Sequence, residues 1–85
     1  MYTEKIEKLE NEIQEIKKYI KADKKEIKKR EKILAIVTDE QVETEVGAYK
    51  EEIEKYTNLV KTKKELVKNY KKLWNKQNYK LYYKV

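Results

Sequence analysis

Apolar residues recur along this chain at alternating spacings of three and four, in a beat that runs out and comes back. It runs through Ile6, Leu9, Ile13, Ile16 and Ile20, and resumes at Ile27 and Leu34. It returns at Val42, Val46, Tyr49, Ile53, Tyr56, Val60, Val67, Tyr70 and Trp74. A seven-residue period keeps one seam of a helix turned toward a partner helix. Two such stretches around one break predict an all-α fold, an antiparallel coiled-coil hairpin of two long helices. Proline is absent and 45% of the residues are charged, which suits long solvated helices.

Helix starts can be read from capping chemistry. Thr3 is a candidate N-cap, with Glu4 and Glu7 favourable to the helix dipole. Thr38-Asp39-Glu40-Gln41 has the form of a capping box, in which Thr38 accepts from the third amide on and Gln41 reaches back. Gly47 is the rival punctuation, since glycine often ends a helix. These signals predict a first helix over about 3–36, a turn near 37–39, a second helix over about 39–76 and a separate tail over 77–85.

Two registers satisfy the seam. Antiparallel packing sets a residues against d residues, so paired residue numbers keep a constant sum. A sum of 76 pairs Leu34 with Val42, Ile20 with Tyr56, Ile16 with Val60, Leu9 with Val67 and Tyr2 with Trp74. A sum of 83 requires a longer loop from Thr38 to Glu45. Charge favours 76, because the acidic block at 1–16 then faces the basic block at 61–76. Opposite charges beside a seam set register more than they add stability. Gly47 then lies inside a helix, a cost of about 1 kcal/mol relative to Ala.

Three seam positions are charged: Asp23, Arg30 and Lys63. Arg30 and Lys63 can lay their stems along the seam with the charge in water. The alternatives are devices that fix register at a cost in stability, or a functional polar cluster.

At 85 residues, with neither Cys nor His, the chain has no disulfide and lacks the usual zinc ligands. Small folds without such staples commonly rely on oligomerisation. Leu59, Leu66 and Leu73 each precede a seam residue and widen the apolar stripe of the second helix beyond what one partner covers. The simplest completion is a homo-oligomer, a dimer forming a four-helix bundle. The expected interface is Leu59, Leu66, Leu73 and Trp74, with Tyr79, Leu81 and Tyr83 of the tail. The tail alternates apolar and polar residues with a period of two, which suits a strand, although the same segment can continue the helix.

No Ser, Cys or His is present and there is one Gly, so the usual nucleophiles, the near-neutral base and a phosphate-cradling loop are missing. The expectation is a non-enzyme without cofactors: a protein–protein interaction or oligomerisation module. The Lys, Ile, Asn and Tyr bias fits AT-rich coding and a small phage or mobile-element accessory protein or inhibitor. The other reading is non-specific binding of single-stranded nucleic acid or RNA. The net charge of +6 and the Lys/Tyr-rich C-terminal half support it. Its contacts are Lys64, Lys68, Lys71, Lys72, Lys76, Lys80 and Tyr82. With a single Arg, bidentate guanine readout has little to work with. The longest apolar run, Ile33 to Val37, is far short of the ~18 residues a membrane span needs. Met1 precedes acids rather than a basic-then-apolar leader, so a cytoplasmic location without a membrane role is expected.

Overall fold

A computed structural model describes the backbone of residues 2–83 and the side chains of residues 2–77. Two α-helices, α1 (Tyr2–Leu34) and α2 (Glu40–Tyr83), fold back on one another into a rod of 73 × 16 × 14 Å. The antiparallel hairpin expected from the heptads is the architecture observed.

The ends of the helices differ from the capping signals. α1 is already helical at Tyr2, so Thr3 lies within the first turn and is not its cap. It ends at Leu34 rather than 36, and the turn covers residues 35–39. The Ile33 carbonyl accepts from the amides of both Ile36 and Val37 at 3.0 Å. The run Ile36-Val37-Thr38 is β-branched and loses side-chain freedom in a helix, so the helix stops before it.

The N-cap of α2 is Asp39, not Thr38. Asp39 Oδ1 accepts from the amides of Gln41 at 3.0 Å and Val42 at 3.2 Å. Its carbonyl takes the first helical bond from Glu43. A carboxylate at a helix start satisfies orphan amides and complements the dipole, so it outcompetes the neighbouring hydroxyl. With the cap one residue later, the third helical position is Val42, and no capping box forms.

Gly47 lies inside α2 without a positive φ, and a Cβ built there would meet nothing within 4 Å. It punctuates nothing. At the other end α2 continues past the start of α1 to Tyr83, so residues 77–83 are helical backbone where the alternation also allowed a strand. Repeating i→i−4 hydrogen bonds need no partner strand, so the helix propagates without one.

The core is one seam deep. Ile13, Ile16, Val60 and Val67 are buried, with Ile6, Leu9, Ile20 and Tyr56 packed against them. Val46 is buried separately nearer the turn. Among the described residues no side chain falls below 2% exposure, as expected when one layer of contacts separates the core from water. The register is the 76 one. Glu12 with Lys63, Tyr19 with Tyr56 and Arg30 with Glu45 all lie within one residue of it. One end pairing differs: Tyr2 sits against Tyr70, ring centroids 5.8 Å apart, rather than on Trp74.

Candidate interaction surface

Antiparallel pairing gives the rod two unlike sides. On one side lie the residues that precede each a residue of both helices. The contacts crossing there include Tyr19 stacked on Tyr56 at 5.8 Å and Lys5 over the Tyr70 ring at 5.6 Å. The charged seam residues turn to that side as well. Lys63 Nζ donates to Glu12 Oε2 at 2.5 Å. Arg30 donates through Nε to Glu45 at 2.7 Å and through Nη1 to Glu26 at 2.6 Å, over the face of Tyr49. Lys63 and Arg30 are therefore partnered bridges between the helices, not free snorkelling cations. These bonds hold the Glu12 and Glu26 carboxyls below their ordinary range and the Arg30 guanidinium above its own.

Asp23 is different. It is 8% exposed, and its Oδ2 has no hydrogen-bond partner. Burial first, and then the charge of Glu52, raise its carboxyl above the usual range. Glu26 of its own helix adds to this from the same side. Tyr56, beside Glu52, is raised for the same two reasons. In a two-helix rod water is never more than a side chain away, so this desolvation is partial. Asp23 and Glu52 form a weak, acid-rich layer between the main core and Val46.

Leu59, Leu66 and Leu73 lie on this side at 44%, 41% and 47% exposure, and Tyr19 and Ile33 of α1 are exposed there too. The intervening outward positions are Thr62 and Asn69, both exposed. The result is an uncharged ridge, Leu59-Thr62-Leu66-Asn69-Leu73, with alternating spacings of three and four. It is a second seam on α2, and among the described residues no helix lies against it. The interval between its members is legible in the sequence. That Thr62 and Asn69 belong to it follows only once the first seam fixes which way α2 faces.

Trp74 does not join the ridge. It is 42% exposed and lines a shallow cleft with Thr3, Ile6, Glu7, Glu10, Lys71 and Asn75 on the opposite side. The side chains of Tyr79, Leu81 and Tyr83, expected at the interface, and of Lys80 and Tyr82 lie outside the described residues.

The opposite side is cationic. Lys71 pairs with Glu10 at 3.2 Å, and Lys17 and Lys64 line one groove with Glu10, Ile13, Gln14 and Val67. Lys61, Lys64 and Lys68 border a second groove. The heptad positions of Lys17, Lys21, Lys24 and Lys28 place them on this same side, which joins the two basic blocks into one track. Of the lysines read as nucleic-acid contacts, Lys64, Lys68 and Lys71 are on this track. Lys72 points away from the seam, and Lys76 belongs to the ridge side.

Among the described residues, no group of three acidic side chains is placed to hold a metal ion, and no helix is long and apolar enough to cross a membrane. Comparison with protein-family models, with curated proteins and with solved structures finds no match. Fold and surface define the class: an antiparallel helical hairpin with one apolar ridge and one lysine track.

Proposed function

We propose that this hairpin is a non-enzymatic protein–protein interaction module whose working surface is the ridge Leu59–Leu73. One observation carries the reading. The ridge is a heptad-spaced, uncharged strip on a chain that is 45% charged, and no described element of its own fold covers it. Exposed apolar strips of that kind mark association sites, and a heptad strip fits another helix. Glu12, which borders it, is already paired with Lys63. Covering this side therefore strands few charges, which is the condition under which burial is favourable.

The lysine track supports a second reading, electrostatic binding of a polyanion such as single-stranded nucleic acid. Lysine ammoniums in a row neutralise phosphates without reading sequence, so such binding weakens steeply with salt. The one Arg is engaged with Glu26 and Glu45, which leaves that track without a guanidinium.

A photo-reactive residue placed at position 66 in the native cell tests the first reading. It should give an adduct of defined mass, and the same probe at position 64 should give none. Absence of any adduct at 66 sinks the proposal. So does micromolar oligonucleotide affinity that persists at moderate salt and is lost with Lys17, Lys64 and Lys68.

A further inference from the structure

We infer that the occupant of the ridge is a second copy of this chain, packed antiparallel with Leu66 near the twofold axis. This rests on the ridge being the interaction surface. It adds the partner and the orientation.

A twofold interface uses the same patch on both copies, so the patch must match itself when reversed. Leu59-Thr62-Leu66-Asn69-Leu73 does so: large apolar residues at the centre and both ends, small polar ones between. Reversed about Leu66, Leu59 meets the level of Leu73 in the second copy.

The charges of α1 on the same side agree. In this arrangement α1 runs beside α1 of the second copy, centred on the level of Glu10, because the register of the hairpin sets residue 10 level with Leu66. Lys8 then falls at the level of Glu12 of the second copy, and Lys5 at that of Glu15.

Orientation follows from the acids near the turn. Glu26 and Glu45, which share the single charge of Arg30, and Glu52 beside Asp23 make the turn half of this side acid-rich. A parallel pair would place those acids against themselves. The antiparallel pair moves them to opposite ends of the assembly. There the part of α2 that extends past Tyr2 comes alongside residues 49–56 of the second copy, and Lys76 is carried toward its acidic layer. The extension of α2 thus has a surface to run along in the pair. A lone hairpin offers it none.

Sedimentation equilibrium on the full chain at tens of micromolar should return twice the 10.4 kDa chain mass. Leu66→Lys should halve it while circular dichroism keeps the helix signal. Because the chain has no Cys, single cysteines report orientation directly. Leu66→Cys should form a disulfide with its own copy on mild oxidation. Leu73→Cys should not, though it should cross-link when mixed with Leu59→Cys. A monomer at tens of micromolar overturns the inference, as does Leu73→Cys self-linking as readily as Leu66→Cys, the sign of a parallel pair. A position-66 adduct with a different protein, from a chain monomeric when pure, overturns the dimer and leaves the interaction reading standing.

Discussion

Arg30 Nε on α1 donates to the Glu45 carboxylate on α2 at 2.7 Å, while its Nη1 holds Glu26 one turn back at 2.6 Å. One guanidinium therefore ties both helices together just above the turn, with its central carbon 4.8 Å from the centre of the Tyr49 ring. A planar fork can make these contacts at once, and an ammonium cannot. Arg30→Lys should lower the melting temperature at low ionic strength even though the charge is kept. Raising salt to about 1 M should shrink the difference, because screening weakens what remains of the pairs. An unchanged melting curve would mean the bridge contributes nothing measurable.

Gly47 should be replaceable with a gain in stability. Its backbone is helical and a methyl there meets open space, so Gly47→Ala removes the helix penalty without a clash. The expected gain is about 1 kcal/mol, read as a rise of roughly 4–8 °C in a thermal melt. No gain would indicate that a partner approaches the bare backbone at this point.

Asp39 and Thr38 should respond unequally. Asp39→Ala removes the acceptor for two amides of α2 and should cost about 1 kcal/mol. Thr38→Ala should be close to neutral. The reverse order in denaturant titrations would restore Thr38 as the cap.

Asp23 sets a pH dependence whose sign is fixed by its raised carboxyl. A group that binds its proton more tightly when folded adds stability below its unfolded pKa, about 3.9. That contribution is lost as pH rises through the raised folded value. Asp23→Leu should therefore stabilise the hairpin at pH 7, by roughly 1–3 kcal/mol, since it removes an unpartnered buried polar atom. The advantage should shrink as pH falls toward 3. Glu12 runs the opposite way: its lowered carboxyl contributes above the ordinary glutamate range and loses this as pH falls. Glu12→Gln should hurt at pH 7 and matter little at pH 3. A pH-independent benefit of Asp23→Leu, followed by chemical denaturation across that range, would mean that the fold does not raise the Asp23 carboxyl.

Periodicity alone determines the architecture, because a seven-residue apolar repeat has one stable use, a seam against another helix. Ile13, Ile16, Val60 and Val67 are identifiable as core from their spacing, and complementary charge blocks choose the register. Local choices with near-equal energies are less legible. Thr38 and Asp39 are adjacent candidate caps, and which one serves depends on where the reversing chain lets α2 begin. The conformation of residues 77–83 is likewise open in the sequence, because period-two alternation and helix continuation both fit Tyr79 to Tyr83.

The sequence by itself thus settles that two helices pair and which residues face inward. What belongs to the tertiary structure is sidedness. Only when α1 and α2 lie antiparallel do Leu59, Leu66 and Leu73 align with Thr62 and Asn69 as an uncovered ridge, while Trp74 turns to the other side. Only then do Lys17 to Lys28 join Lys61 to Lys71 in one track, and Asp23 meet Glu52 across the seam. A one-dimensional pattern records what each helix turns toward its partner. It does not record which outward faces come to lie side by side, and that is where the interaction surface arises.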